Sequence, residues 1–129
     1  MQRDMDLFRE ILLKVEADPR FNGSFQSASA KGLGIEDCSP EKFAYHCVLL
    51  HEAGFVEGSM KMAGHGDVAI SRLTYNGHEF LDTLRNPEIW RKTKEGASKI
   101  GGAGIELLLS MGKAYAKQFM QEKLGIPLP

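Results

Sequence analysis

A β-hairpin pattern set between helical patterns is the feature that most constrains the fold of this chain. Residues 55–62 and 68–74 form two extended runs, and Ala63-Gly64-His65-Gly66-Asp67 between them has the composition of a glycine-rich turn. Gly54, directly before the first run, is a typical helix C-terminus. The predicted order of elements is helix, loop, helix, hairpin and helix. The pattern therefore predicts an α+β fold.

Two helical patterns precede the hairpin. The first begins after Asp4, a good N-cap, and ends at Pro19. The second begins at Ser39-Pro40-Glu41, which combines an N-cap, a proline at the first helical position and an acidic first turn. Residues 19–38 between them are rich in Gly, Ser and Ala, which predicts a loop with one short strand.

Three helical patterns follow the hairpin. Thr74 can cap the first of them, and Asn86-Pro87 ends it and starts the next. The helix that starts at Asn86-Pro87 is predicted to bury five side chains: Ile89, Trp90, Thr93, Ala97 and Ile100. Gly101-Gly102 is a predicted hinge before a last helix over about 104–124. We divide the 129 residues into a domain over 1–86 and a C-terminal helical extension over 87–129.

The junction between the second helix and the hairpin carries a resemblance. Leu49-Leu50-His51-Glu52-Ala53-Gly54-Phe55-Val56-Glu57, followed by Arg72-Leu73-Thr74-Tyr75-Asn76-Gly77, resembles the L-x-x-A-G-hydrophobic … L-T-x-x-G frame of bacterial winged-helix regulators. In such a frame the glycine ends the helix, the apolar residue tucks the first wing strand onto the core, and the threonine caps the next helix. This resemblance implies a winged-helix-like domain.

A more specific resemblance covers about residues 2–124. It rests on Arg3-Asp4-Met5-Asp6-Leu7, Tyr45-His46, Leu50-His51-Glu52-Ala53-Gly54, Leu73-Thr74, Gly77-His78-Glu79-Phe80-Leu81, Trp90 and Thr93-Lys94-Glu95. These residues are similar to a bacterial and phage family known as domain of unknown function 2513. The resemblance implies a small cytoplasmic protein often carried by prophages, and it implies no activity and no catalytic residues.

One departure from the winged-helix pattern concerns the helix that normally precedes the recognition helix in a helix-turn-helix. Residues 19–38 show no convincing helical stripe. That helix is therefore either short, around 33–37, or missing.

Charge is unevenly distributed along the chain. Residues 1–84 contain eight Lys or Arg against thirteen Asp or Glu, whereas residues 85–129 contain eight against four. The segment that most resembles a DNA-binding module is therefore the acidic one. Its second helix is predicted to expose Glu41, Lys42, Ala44, Tyr45, Val48 and Leu49. Lys42 and Tyr45 suit DNA contact, whereas Val48 and Leu49 suit an apolar partner surface.

Further candidate contacts come from the hairpin and from the extension. We expect Lys61, His65 and Arg72 near the wing, and Arg91, Lys92 and Lys94 on the helix that carries Trp90, to be able to meet phosphates. Alternatively, these cations belong to solvated surfaces or pair with the acidic segment.

Several classes of protein are excluded or disfavoured. No run approaches the roughly 18 apolar residues of a membrane span, and the charged N-terminus is no signal peptide. Cys38 and Cys47 fit a reduced cytoplasm, and with His46 and His51 they lack the spacing of a zinc site. His78, Glu79 and Asp82 have no accompanying nucleophile or oxyanion device. We expect neither a metal nor a cofactor, and no enzyme.

Two functions remain. The first is a DNA-binding or transcription-regulatory module, whose DNA binding would be weak and salt-sensitive. The alternative is a protein-interaction adaptor that uses the winged helix and the C-terminal helix without reading a DNA sequence.

The last helix also predicts a homodimer. Its apolar stripe is long enough to pair with a second copy, and two small residues four apart would let the backbones approach. The interface residues expected are Ile105, Leu108, Leu109, Gly112, Ala116, Phe119 and Met120. The alternative is that this stripe packs inside one chain.

Overall fold

The computed structural model describes residues 1–125 and has an α+β architecture. The described elements are α1 (Met5–Ala17), β1 (Gln26–Ala28), α2 (Ala30–Leu33), α3 (Pro40–Glu52), β2 (Val56–Ser59), β3 (Val68–Leu73), α4 (Tyr75–Leu84), α5 (Pro87–Lys99) and α6 (Ile105–Lys123). The hairpin, the helices around it and the C-terminal helix confirm the predicted fold class. The chain packs as two compact units, Met1–Leu81 and a second that begins at Asp82, whereas the sequence placed the boundary after residue 86.

Helix α1 forms as its sequence pattern predicts. The Asp4 carboxylate accepts a hydrogen bond from the Leu7 backbone N–H, which satisfies one of the free donors of the first turn. Phe8, Ile11 and Leu12 lie on one face and are almost completely buried. Each such side chain contributes about 1.5–3 kcal/mol by leaving water. This face holds α1 in the core of the first unit.

The segment between α1 and α3 contains both an expected strand and a helix that lies elsewhere than expected. Strand β1 occupies residues 26–28, and α2 spans only Ala30–Leu33. The Ser29 hydroxyl caps α2 by accepting from the Gly32 N–H, and Gly34 ends it in a left-handed conformation. The extra helix is therefore short, but it begins before the predicted 33–37 region. The prediction misplaced it because only four residues separate its N-cap from its C-terminal glycine, which is too few to show a hydrophobic stripe.

Helix α3 begins and ends where the sequence indicates. Ser39 accepts a hydrogen bond from the Lys42 N–H, and Pro40 occupies the first turn. Gly54 has φ 79°, a conformation that side-chain-bearing residues rarely adopt, and it turns the chain into β2. The prediction that Ala44 is exposed is wrong, since only 2% of it is accessible. Helix α3 packs against α1, β2 and the turn after β2, so its buried arc is wider than a single stripe.

The three strands form one antiparallel sheet in the order β1-β3-β2. A bulge between Glu57 and Gly58 of β2 leaves Ser71 of β3 outside the regular pairing. The buried Ser71 hydroxyl donates to the Glu57 carboxylate at 2.7 Å, so it is not left without a partner. Val68, Ile70 and Leu73 of the central strand are buried against the helices. The hairpin is thus part of the core of the first unit.

The second unit contains α5 and α6, which pack on each other. Asn86 caps α5 by accepting from the N–H groups of Glu88 and Ile89, as its position before Pro87 predicts. The inward prediction holds for Ile89, Trp90, Thr93 and Ala97, all of which are buried. It is wrong for Ile100, which is 62% exposed, because α5 ends at Lys99 and Ile100 leaves the helical conformation.

Candidate functional site

The N-terminal segment is pinned to α3 by a small polar cluster in the first unit. The Asp4 backbone N–H donates to His46 Nε2 at 2.8 Å, and the Asp4 carboxylate accepts from Lys42 Nζ at 3.1 Å. The ring of His46 meets the ring of Phe8 edge-on, with 5.2 Å between the centroids. His46 is completely buried. We call this cluster of Asp4, Lys42 and His46 the pin, because it joins the start of α1 to the first two turns of α3.

The hydrogen bonds of His46 define its protonation state. Because Nε2 accepts from Asp4, it carries no proton, so the proton of the neutral ring lies on Nδ1 and is donated to the Lys42 carbonyl at 2.8 Å. Burial lowers the pKa of His46 below the usual 6.5, although the hydrogen bond to Lys42 and the charge of Asp4 oppose that change. His46 is therefore a neutral part of the core. Its spacing of three residues from Phe43 and four from Leu50 places His46 beside the apolar stripe of α3, which is a sequence signal for burial.

A cleft lies on the outer side of α3, between this helix and the residues that follow β2. We name residues 60–67 the wing loop. It forms a short 3-10 turn at Ala63–His65, and Gly66 with φ 83° reverses the chain toward β3. Hydrogen bonds from Ala63 N–H to Met60 O and from Asp67 N–H to Met62 O close the loop on itself. The wing loop contacts α3 instead of extending away from it.

The space between them, which we call the α3–wing cleft, has a volume of about 720 Å³. This size falls within the usual range for ligand-binding clefts. Tyr45 is 40% exposed, and Val48 is half-buried. The lining residues are Met1, Pro40, Glu41, Tyr45, Val48, Ala63, Gly64, His65, Gly66 and Asp67. The structure thus brings together Tyr45, Val48 and His65, three of the predicted contact residues.

Most of the predicted DNA-contacting cations interact with groups of this chain. The pairs are Lys42–Asp4 at 3.1 Å, Arg72–Glu57 at 3.1 Å, Arg91–Glu95 at 2.8 Å and Lys92–Glu88 at 3.9 Å. The Lys94 ammonium lies 5.7 Å from the centroid of the Trp90 ring. Within residues 1–125, Lys61 and His65 of the wing loop take part in no ion pair. Lys42, Arg72 and Leu49 do not line the cleft.

The two cysteines and the nearby histidines form no metal site. Cys47 is buried, and burial raises the pKa of its thiol to about 12, so it remains protonated. Both ring nitrogens of His46 are used in hydrogen bonds. Across the described part of the chain, no three His, Cys, Asp or Glu side chains are arranged to hold a metal ion. Cys47 therefore contributes to core packing, and His46 contributes the hydrogen bond that holds Asp4.

The second unit has a groove of its own, beside α6. It has a volume of about 360 Å³ and an apolar floor that includes Ile89, Ala116 and Met120. Of the predicted dimer residues, Leu108 and Gly112 are buried inside the unit, where Gly112 lies against the side chain of Leu84. The others remain half-buried or exposed along α6: Ile105, Leu109, Ala116, Phe119 and Met120. An interface on α6 would have to use these.

No helix within residues 1–125 has both the length and the apolar character needed to cross a membrane.

No solved structure matches the chain. A protein of Haemophilus influenzae (strain ATCC 51907 / DSM 11121 / KW20 / Rd), described as "Uncharacterized protein", is 33% identical over 126 residues. That alignment covers 97% of this chain and 100% of the relative. Residues 2–104 match the family described as "Hypothetical protein (DUF2513)". With most of its length matched and a relative aligned from end to end, the chain belongs to the DUF2513 family.

Proposed function

We propose that this protein is an interaction adaptor whose first unit is a winged-helix module that binds a protein partner at the α3–wing cleft. The outer face of α3 supports this function, because it is aromatic and aliphatic and, within the described residues, has no unpaired cation. This face presents Tyr45 and Val48 beside a cleft, while the cation of the same helix, Lys42, is paired with Asp4. An aromatic ring beside an aliphatic floor is typical of the centre of protein interfaces.

The order of elements supports the winged-helix assignment. A helix, a strand, a short helix and a longer helix precede a hairpin whose second strand lies between the other two. In this assignment α3 stands in the place of a recognition helix and residues 60–67 in the place of the wing. Fold alone does not select a function, so the site has to supply the argument.

The site favours protein over base recognition for two reasons. Reading base edges uses Arg, Lys, Asn or Gln, and α3 offers only Lys42, which Asp4 holds. In addition, the wing loop contacts α3 and so covers part of the surface that would have to enter a groove of DNA. Both features are compatible with an apolar segment of a partner lying in the cleft.

Site-specific photo-crosslinking in cells that produce the protein tests the proposal. A benzophenone amino acid replaces Tyr45 in one strain and Lys14, an exposed α1 residue outside the cleft, in a control strain. We expect a protein adduct at position 45 that survives nuclease, is destroyed by protease and is absent at position 14. An adduct at position 45 that nuclease removes, or none there, would contradict the adaptor function.

DNA contact is a second candidate, which the unpaired cation of the wing loop favours. Lys61 is exposed and takes part in no ion pair among the described residues. We propose that any DNA binding is weak, tolerant of sequence and steeply reduced between 50 and about 200 mM salt, because it would rest on phosphates. Fluorescence anisotropy with a random duplex tests this, comparing Lys61→Ala/Arg72→Ala with Arg91→Ala/Lys92→Ala/Lys94→Ala. Tight binding to one sequence at physiological salt would overturn it.

We also propose that the chain is a homodimer through α6. The support is the partly exposed apolar row on α6, in which Phe119 and Met120 lie one turn beyond Ala116. Light scattering on the full chain should give twice the monomer mass, and Met120→Glu should give the monomer mass. A monomer at concentrations well above those of a tight dimer would refute the proposal.

A further inference from the structure

The charges around the α3–wing cleft allow its partner to be described further. Glu41 lies on the α3 side and Asp67 at the far end of the wing loop, so that carboxylates line the cleft from both elements. Both side chains are exposed, and within residues 1–125 neither pairs with a cation of this chain. By contrast, Lys42 and Arg72 are each bound to a carboxylate.

We propose that the α3–wing cleft binds a linear segment of a partner protein in which an apolar side chain is flanked by lysine or arginine. This inference rests on the proposed adaptor function and specifies its partner. The apolar residue would lie on Tyr45, Val48 and Ala63, and the basic residues would meet Glu41 and Asp67. The two carboxylates attract a basic segment and repel an acidic one, so they provide selectivity as well as a faster encounter.

The size of the cleft agrees with a peptide rather than a whole domain surface. About 720 Å³ accommodates an anchoring side chain and its neighbours, as in other modes of peptide recognition. The cleft is open to solvent, so flanking residues of the peptide can continue past Glu41 and past Asp67 without entering the core. One anchor and two flanking charges are therefore enough to describe the ligand.

Selection from a random 12-residue peptide library displayed on phage tests the inference with the full-length chain. Enriched peptides should combine an apolar residue with Lys or Arg within four positions of it. The best of them, labelled with fluorescein, should lose about two- to tenfold in affinity on Glu41→Gln/Asp67→Asn, because each exposed ion pair is worth little. The matched control, Glu36→Gln/Glu52→Gln, removes two exposed carboxylates of the same unit that do not line the cleft, and should leave affinity unchanged.

The outcomes separate the two levels of the proposal. Peptides that lose binding on Tyr45→Ala or Val48→Asp but carry no basic residues, or are acidic, would overturn the inference and leave the adaptor function standing. Equal losses in the Glu41/Asp67 and Glu36/Glu52 variants would also overturn it, since the attraction would then be a property of the whole unit. If no peptide is enriched, or none responds to Tyr45→Ala and Val48→Asp, the inference fails, and an absent crosslink at position 45 would show that the adaptor function fails with it.

Discussion

Replacing His46 should reveal how much of the stability of the first unit depends on the pin between the N-terminal segment and α3. The buried ring fills space against Phe8 and accepts the Asp4 N–H at 2.8 Å. His46→Ala removes both the ring and the acceptor, which should cost about 3–5 kcal/mol of the free energy of unfolding. His46→Phe keeps a ring but leaves the Asp4 N–H without an acceptor, which should cost about 1–3 kcal/mol.

Urea unfolding followed by circular dichroism at pH 7.5 measures both losses. With a slope of about 2 kcal/mol per molar urea, His46→Phe should lower the midpoint by roughly 0.5–1.5 M. The neighbouring Tyr45→Phe, which removes one exposed hydroxyl, is the control and should lie within about 0.5 kcal/mol of the wild type. Amide hydrogen exchange should show Asp4 protected in the wild type and unprotected in His46→Phe. A His46→Phe chain with the wild-type midpoint would refute the reasoning.

The same pair of proteins tests the pH dependence of the pin. Burial lowers the pKa of His46 in the folded state, so the unfolded chain binds the proton more readily. The contribution of His46 is therefore complete above its usual pKa of 6.5 and is lost as the pH falls from there through the folded value. The difference in unfolding free energy between wild type and His46→Phe should narrow between pH 8 and 5. A difference that widens toward acid would contradict the assigned tautomer.

Two further predictions concern a close contact at Gly77 and the expectation that the protein binds no zinc. Gly77→Ala should destabilise by about 1–3 kcal/mol in thermal or urea unfolding, because its Cβ would clash with the Phe55 carbonyl oxygen, which the Thr74 N–H holds in place. Gly64→Ala, with open space around it, is the matched control and should change stability by less than about 0.5 kcal/mol. Added zinc should leave the melting temperature unchanged in differential scanning fluorimetry, since a ligand that binds only the folded state must raise it; a rise abolished by Cys47→Ser would overturn this expectation.

The elements that the sequence predicted well are those with a local cause. The caps at Asp4, Ser39 and Asn86 act on backbone groups two or three residues away, so their effect can be recognised in the sequence. The turn at Gly54 is equally local. Helix α2 was misplaced because four residues are too few for a periodic pattern, although its boundaries, Ser29 and Gly34, are themselves ordinary helix signals.

The candidate site was harder to predict because it depends on contacts between distant segments. Tyr45 and Val48 were expected on an exposed face of α3, but nothing in the sequence places the wing loop against that face to form a cleft. Similarly, the pairing of Lys42 with Asp4 joins residues 38 positions apart. A single apolar stripe predicts Ala44 outward, whereas in the structure it is buried because α3 is covered from more than one side. These three features depend on tertiary packing, which local sequence propensity does not describe, so the sequence alone did not predict them.

The pin and the cleft together support the proposal that α3 binds a protein partner and does not read DNA. His46 and Asp4 fasten the N-terminal segment onto α3, and in doing so they place the Asp4 carboxylate beside the ammonium of Lys42. A phosphate would have to compete with that carboxylate for Lys42, the single cation of the helix. The attraction between the phosphate and Lys42 would also weaken as the salt concentration rises. The carboxylates of Glu41 and Asp67 meanwhile remain free of cations within residues 1–125 and line the cleft. The same contacts that stabilise the first unit therefore leave two carboxylates and a partly apolar surface available to the basic partner that we propose.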